Sequence, residues 1–145
     1  MPDQEKEQDQ NPLAKMTKIL VVDDDADITD IIAKALKSKQ YRIVTTNRME
    51  VVLDSGQSME YFDVAIIDLF MPGIGGIEGI KRIKQQNPEC KVIAISGGWS
   101  EMSVSDALGA ARKIGADRVL AKPFRVSDIR DTVSQVSGES RAVND

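Results

Sequence analysis

Three runs of almost unbroken aliphatic residues constrain this chain more than any other feature of its sequence. They are segments 19–22, 64–67 and 92–95, which read ILVV, VAII and VIAI. Strands that are buried on both faces of a parallel sheet have such continuous apolar runs, whereas half-exposed strands alternate. Apolar residues recur at helical spacing in the segments that follow the first two runs, within residues 28–36 and 77–83. The sequence therefore predicts buried strands that alternate with helices.

The complete pattern comprises five strand–helix units with short connections. Strands are predicted at residues 18–22, 41–45, 64–69, 92–96 and 118–121. Asn47 and Glu50 are spaced like a capping box at the start of a short second helix, and Ser127 is placed to cap the last helix. Because parallel strands need crossover connections, the predicted fold is a doubly wound α/β domain with helices on both faces of a five-stranded parallel sheet.

Length and composition favour one cytosolic domain with short tails. We expect residues 1–16 to form a disordered polar tail, residues 17–136 the domain, and residues 137–145 a flexible C-terminal tail. The net charge of −4 argues against nucleic acid as a partner, and no apolar run approaches the roughly 20 residues that span a bilayer. The absence of histidine excludes serine–histidine catalysis and an internal phosphohistidine. Cys90 has no second cysteine to pair with, which suits a reducing cytoplasmic compartment and a structural role.

Polar residues follow four of the predicted strands at the carboxyl edge of the sheet, where doubly wound folds place their sites. They are Asp23 and Asp24 after the first strand, Asp68 after AII, Ser96 after VIAI, and Lys122 after RVLA. Two carboxylates about 4 Å apart repel by roughly 4 kcal/mol at an effective dielectric of 20, so such a cluster raises a pKa or binds a cation. Hard oxygen ligands suit Mg²⁺ or Mn²⁺. Together with a lysine and a hydroxyl, this set is suited to handling a phosphoryl group, and one carboxylate can serve as the nucleophile.

Asp25 completes the acidic triplet at residues 23–25 but has a different expected role. Its position directly before a helical stripe favours a helix-capping or solvated side chain over a metal ligand.

Four stretches of the chain resemble the signature stretches of the response-regulator receiver family. They read ILVVDDDADI, DVAIIDLFMPGIGGIEGI, VIAISGG and GADRVLAKPF, and they occur in the family's order, each at the expected strand end. The resemblance covers about residues 17–136. It implies a flavodoxin-like sheet with strand order 2-1-3-4-5.

The resemblance also implies a role for each matching residue. Asp68 corresponds to the phosphoacceptor. Asp24 would bind the metal directly, Asp23 mainly through water, and the backbone carbonyl of Phe70 would provide a further ligand. Ser96 and Lys122 would contact the phosphoryl oxygens, and the Lys122–Pro123 peptide bond is expected to be cis, as X–Pro bonds readily allow.

Two positions depart from the family pattern. Val119 stands where an aromatic residue commonly couples phosphorylation to the surface. The segment between Ser96 and Lys122 is longer than is common in the family, and it contains Trp99 and Met102. These two side chains either form a partner-contacting surface or pack against their own domain, and the sequence favours neither. Our hypothesis is that the longer segment takes over part of the switching role that Val119 cannot play.

The resemblance implies a signalling phosphoacceptor rather than an enzyme, although phosphorylation from small donors and self-dephosphorylation are compatible with it. The expected partners are a histidine kinase or a histidine phosphotransfer protein and a separate downstream protein. A receiver-like adaptor that works without phosphorylation is the alternative, and Val119 favours it. A phosphatase needs a general acid at position 70, which Phe70 cannot provide, and a flavin domain needs a Ser/Thr-rich loop after the first strand, which is absent.

Overall fold

The structure is a computed structural model that describes residues 16–50, 62–71, 75–97 and 104–144. Five parallel strands form one sheet in the order β2-β1-β3-β4-β5, as the sequence predicts. The strands are β1 (Thr17–Val22), β2 (Tyr41–Thr46), β3 (Val64–Asp68), β4 (Lys91–Ser96) and β5 (Arg118–Ala121). The described helices are α1 (Ala26–Ala35), α2 (Gly76–Gln86), α3 (Val104–Lys113) and α4 (Val126–Asn144).

The side chains of the central strands alternate between two buried layers, because successive residues of a strand face opposite sides of a sheet. One layer packs against α2 and α3 and includes Leu20, Val22, Ala65, Ile67, Ile80, Ile83 and Ala111. The other packs against α1 and α4 and includes Ile19, Val21, Ile32, Ile66, Ile93, Ile129 and Val133. Cys90 is buried in the first layer, in agreement with its predicted structural role.

Local signals accompany several of the helix ends. The Asp25 side chain accepts a hydrogen bond from the Asp27 N–H at the start of α1, which confirms the predicted helix cap. Helix α2 ends before Asn87, and Gly115, with φ +121°, follows the end of α3. A positive φ strains residues with a Cβ atom, so glycine is favoured at position 115.

The start of the last helix differs from the prediction. Ser127 lies inside α4 rather than at its cap, so that prediction is wrong. Instead, the Asp128 carboxylate accepts a hydrogen bond from the Arg125 N–H at 2.8 Å, directly before the helix. A carboxylate in the first turn can satisfy a backbone donor at the helix start and also interacts favourably with the helix dipole. Asp128 therefore provides the side-chain hydrogen-bond acceptor at the helix start that Ser127 was expected to provide.

The end of the last helix also differs. Helix α4 continues through residues 137–144, whereas the helix was expected to end near Val136. Residues 137–144 contain no proline, and extending an existing helix adds one hydrogen bond for each residue fixed. Whether residues 137–145 are flexible stays a prediction.

Several predictions concern residues outside the described part of the chain. These are the tail at residues 1–15, the body of the short helix predicted after Asn47, and the segment that contains Trp99 and Met102. Of the short helix, residues 49 and 50 are described and are helical. Among the described helices, none is both long enough and apolar enough to cross a membrane.

Candidate functional site

The fold brings the polar residues at the strand ends together at the carboxyl edge of the sheet. Asp23 and Asp24 directly follow β1, Asp68 is the last residue of β3, Ser96 is the last residue of β4, and Lys122 directly follows β5. These four strands are adjacent in the sheet. The five residues that the sequence predicted therefore lie on one edge, on neighbouring strands.

Three of these residues form an acidic cluster. One carboxylate oxygen from each of Asp23, Asp24 and Asp68 lies within 4.8 Å of the others. Asp23 and Asp68 are buried, with 0% and 3% of their surface exposed, whereas Asp24 is exposed. Opposite ligands of an octahedral ion at about 2.1 Å stand about 4.2 Å apart, so this spacing fits a shared Mg²⁺-sized ion after a small contraction. The donor set consists of hard oxygen atoms, which such ions prefer.

Asp23 is held on both carboxylate oxygens. Its Oδ1 accepts a hydrogen bond from the Asp25 N–H, and its Oδ2 accepts one from Lys122 Nζ, both at 2.9 Å. A fully buried carboxylate needs such partners, because removing an ionised group from water without compensation is costly. The turn that follows β1 and the lysine that follows β5 thus fix Asp23 together. Asp25 contributes its backbone here, and its own side chain is committed to capping α1.

Lys122 bridges the two buried acids. Its Nζ lies 2.9 Å from Asp23 Oδ2 and 3.5 Å from Asp68 Oδ2, and 20% of its side chain is exposed. Burial alone would lower the pKa of Lys122, but the hydrogen bond to Asp23 and the charges of both acids outweigh it and raise the pKa. Lys122 is therefore a fixed cation at neutral pH. The Lys122–Pro123 peptide bond is cis, as predicted.

The surroundings of Asp68 favour the protonated form of its carboxyl group. Burial, reinforced by the charge of Asp23, raises the pKa of Asp68 from its ordinary value of 3.8 to about 6. Lys122 and the hydrogen bond that the Phe70 N–H donates to Asp68 Oδ1 at 3.2 Å act in the opposite direction without cancelling this rise. One lysine thus does not compensate for two buried carboxylates. A cation bound in the cluster would favour the ionised form of Asp68.

Ser96 is fully buried, and its Oγ has no hydrogen-bond partner among the residues that the structure describes. A buried hydroxyl without a partner costs about 1–3 kcal/mol, so it is uncommon unless the site has a use for it. Asp68 pairs with Ile95, the residue directly before Ser96, in the ladder between β3 and β4. Ser96 thus ends β4, the strand next to β3, which carries Asp68, and its hydroxyl is available for a hydrogen bond.

Phe70 contributes its backbone to the site. Its N–H holds Asp68 Oδ1, while its side chain packs against the core layer beneath α2. The phenyl side chain offers no acid two residues after Asp68, which is consistent with the argument against a phosphatase. Its backbone carbonyl as a metal ligand stays a prediction.

Val119, at the position of the expected aromatic residue, is partly buried and packs against the same core layer. It lies on β5 opposite Ala94 of β4. The long segment with Trp99 and Met102, for which the sequence favours neither interpretation, lies outside the described residues.

One residue near the site was not singled out by sequence reasoning. Gly76, the first residue of α2, donates its N–H to the Leu69 carbonyl at 3.2 Å, next to Asp68. A Cβ atom at position 76 would lie 2.1 Å from the Asp68 carbonyl oxygen. The glycine pair at residues 75 and 76, which follows shortly after the acidic residue and opens a helix, is the signal that could have revealed it.

A doubly wound sheet with an acidic cluster, a lysine and a hydroxyl at its carboxyl edge defines a class of domains suited to binding a cation and a phosphoryl group. Comparison with known sequences agrees with this class. The sequence profile of the response regulator receiver domain matches residues 19–134. This chain belongs to the response-regulator receiver family, the receiver domain of two-component systems.

Individual relatives are similar over most of this chain. The nisin biosynthesis regulatory protein NisR of Lactococcus lactis is 31% identical over 77% of this chain and 46% of its own length. A cyclic di-GMP phosphodiesterase of Thermotoga maritima is 27% identical over 77% of this chain and 28% of its own length. This chain therefore spans less than half the length of either relative.

Among solved structures, the BeF3-activated receiver domain of DrrB, a Thermotoga maritima response regulator, superposes with a TM-score of 0.74 at 28% identity. That match covers 85% of this chain and 98% of the DrrB domain. The similarity therefore extends over a complete receiver domain.

Proposed function

We propose that this domain accepts a phosphoryl group on Asp68 from a phosphohistidine of a partner protein. The observation that carries the proposal is the buried Asp68 carboxylate, which lies beside Lys122 and clusters with Asp23 and Asp24 at the carboxyl edge of a receiver fold. The unpartnered Ser96 hydroxyl supports it, because a phosphoryl oxygen would provide the missing acceptor.

The acidic cluster would hold Mg²⁺, or Mn²⁺, through Asp23, Asp24, Asp68 and the backbone carbonyl of Phe70. Such an ion neutralises negative charge on the carboxylates and on the phosphoryl oxygens. The spacing within 4.8 Å and the oxygen donors fit this group. The solvent-exposed side of the cluster, where Asp24 lies, leaves room for the water ligands that Mg²⁺ usually keeps.

In the proposed reaction, a carboxylate oxygen of Asp68 attacks the phosphorus atom of the phosphohistidine. The new O–P bond forms as the P–N bond breaks, and the imidazole leaves with the electron pair and takes up a proton from water. Lys122 and Ser96 then bind phosphoryl oxygens, which carry about −1.5 to −2 charges at neutral pH. Small phosphodonors such as acetyl phosphate would react in the same way, with acetate as the leaving group.

The proposed partners are a histidine kinase or a histidine phosphotransfer protein as donor, and a separate downstream protein as target. We further propose that the domain acts in the cytoplasm as a signalling phosphoacceptor. The net charge of −4 argues against direct contact with nucleic acid.

Mass spectrometry of the intact protein tests the phosphorylation directly. Incubation with acetyl phosphate and Mg²⁺ should add one phosphoryl group to the wild type and none to Asp68→Asn. Asp24→Asn should slow the reaction, whereas Asp30→Asn should not. Asp24 and Asp30 are both exposed acids, and only Asp24 belongs to the cluster.

A receiver-like adaptor that works without phosphorylation is the second candidate. Val119 favours it, because the ring that commonly moves upon phosphorylation is absent at that position. If the wild type takes up no phosphoryl group from acetyl phosphate or from a phosphohistidine donor in the presence of Mg²⁺, the adaptor becomes the better description.

A further inference from the structure

The N-terminus of α2 approaches the end of β3 more closely than any residue with a side chain would allow. A Cβ atom at Gly76 would lie 2.1 Å from the carbonyl oxygen of Asp68 and 2.7 Å from the Cα of Leu69. Both of these atoms belong to the backbone, so rotating a side chain cannot relieve the contact. Real Cβ atoms essentially never approach another heavy atom closer than 3.0 Å. Any side chain at position 76 would therefore move one backbone segment away from the other.

The backbone at the end of β3 is held from two sides. On the sheet side, the Leu69 N–H donates a hydrogen bond to the Ile95 carbonyl of β4 at 2.9 Å. On the helix side, the Gly76 N–H donates to the Leu69 carbonyl at 3.2 Å. The Phe70 N–H, one residue later, holds Asp68 Oδ1. The direction of the Asp68 carboxylate thus depends on a short stretch of backbone, and Gly76 forms one of its two supports.

From this geometry we propose that Gly76 is a positioning residue for Asp68. The missing side chain lets α2 press against the Asp68–Leu69 peptide and fix the carboxylate relative to Lys122 and the acidic pair. The proposal rests on the proposed function of Asp68 as phosphoacceptor. Its mechanism is backbone placement, because Gly76 has no side chain with which to touch a substrate.

The neighbouring glycine provides a matched control. A Cβ atom at Gly75 would meet the Leu69 carbonyl oxygen at 3.7 Å, which is an ordinary contact distance. Gly75→Ala and Gly76→Ala thus add the same methyl group to adjacent residues, and only the second forces the backbone apart. The displacement needed at Gly76 is about 1 Å, the difference between 2.1 and 3.0 Å. A misplacement of about 1 Å can reduce the rate of a reaction by about 100-fold.

The test compares three properties of the wild type and the two alanine variants. These are the rate of phosphorylation by acetyl phosphate, the affinity for Mn²⁺ by electron paramagnetic resonance, and the amide NMR shifts of Leu69 and Phe70 in the metal-free protein. In Gly76→Ala we expect a rate at least about tenfold lower, within the range that misplacement causes. We also expect weaker Mn²⁺ binding and displaced Leu69 and Phe70 amide signals. Gly75→Ala should resemble the wild type in all three.

A purely structural role for Gly76 predicts a different result. Folded Gly76→Ala would then melt at a lower temperature but keep the wild-type phosphorylation rate and Mn²⁺ affinity, and that outcome overturns the proposal. Ile83→Val, a core change in the same helix, is the control for lost stability alone and should leave the three properties unchanged.

The amide shifts separate this proposal from the proposed function. If the wild type neither accepts phosphate nor binds Mn²⁺, the proposed function fails, whereas unchanged Leu69 and Phe70 signals in Gly76→Ala overturn the positioning role whether or not the proposed function holds. If Gly76→Ala does not fold, it is to be repeated in the Gly109→Ala background. A Cβ atom at Gly109 meets no atom of the described residues within 4 Å, so this change in α3 should be stabilising. Failure to fold there too, while Gly75→Ala folds, assigns Gly76 to folding alone and overturns the proposal.

Discussion

Replacing the phosphoacceptor candidate with its neutral isostere should make the metal-free protein more stable. In Asp68→Asn, the side chain keeps an oxygen atom for the Phe70 N–H but loses the charge that burial and Asp23 oppose. The folded-state pKa of about 6 exceeds the ordinary value of 3.8, so the folded state binds this proton more tightly than the unfolded state does. Ionised Asp68 therefore costs stability at neutral pH.

The size of the effect follows from the two pKa values. At about 1.36 kcal/mol for each pKa unit, the rise from 3.8 to about 6 corresponds to about 3 kcal/mol at pH 7.5. That pKa already includes the attraction to Lys122 at 3.5 Å, and burying the new amide NH₂ group offsets part of the gain, so we expect a net gain of about 1–3 kcal/mol. For a domain of this size, that gain raises the melting temperature by about 4–10 °C.

The pH dependence gives the most specific assay. A group whose pKa is raised on folding favours the folded state while it is protonated, so the wild type should lose stability as pH rises from about 4 to about 6. Urea unfolding in EDTA between pH 4 and 8 should show the advantage of Asp68→Asn close to zero at pH 4 and complete above about pH 6.5. Adding Mg²⁺ should narrow the difference at pH 7.5, because an ion that binds only the folded wild type stabilises it.

Asp30→Asn is the control for the stability of Asp68→Asn. Asp30→Asn removes an exposed acid outside the cluster and should change stability by no more than about 0.5 kcal/mol at any pH. If Asp68→Asn is as stable as the wild type or less stable at pH 7.5 in EDTA, the reasoning about Asp68 is wrong. The same holds if the difference between the two proteins does not vary with pH.

Three further predictions concern single substitutions or modifications at Lys122, Gly109 and Cys90. Lys122→Gln should lower the free energy of unfolding in EDTA by about 2–3 kcal/mol, because it leaves the buried Asp23 without its cation. Urea titration measures this loss, and an unchanged unfolding midpoint contradicts the bridging role of Lys122. Gly109→Ala should stabilise by about 0.5–1 kcal/mol, since it adds a methyl group within α3 without a clash among the described residues; a lower melting temperature would oppose this. Cys90, whose pKa burial raises to about 12, should react with a thiol reagent only when the domain unfolds, and rapid labelling of the native protein at pH 8 would argue against it.

The sequence predicts the fold well because the central strands are buried on both faces. Such strands have continuous aliphatic runs, and the predicted ends of all five strands lie within one residue of the observed ends. The helix ends were less certain, since they depend on which of several polar residues reaches a backbone donor. At the start of α4, both Ser127 and Asp128 are chemically able to cap, and only the structure shows that Asp128 does so.

The candidate site was predictable for a related reason. Its residues follow strand ends, and the carboxyl ends of adjacent parallel strands necessarily meet at one edge. Two features were beyond the reach of sequence reasoning. The raised pKa of Asp68 depends on burial and on its distances to Asp23 and Lys122, and the constraint on Gly76 depends on how closely α2 approaches β3. Both are properties of tertiary packing between segments that are distant in the chain.

Lys122 connects the proposed phosphoacceptor Asp68 to strands β4 and β5. Lys122 is closer to Asp23 than to Asp68, at 2.9 Å and 3.5 Å. A phosphoryl group on Asp68 would add negative charge on the more distant side, so Lys122 would be drawn towards it and away from Asp23. The Lys122 N–H also donates to the Ser96 carbonyl at 2.8 Å. The two side chains proposed to bind the phosphoryl group are therefore joined through their backbones. Val119 lies on β5 three residues before Lys122. A movement of Ser96 and Lys122 can therefore be transmitted along β4 and β5 through the backbone, without an aromatic ring at position 119.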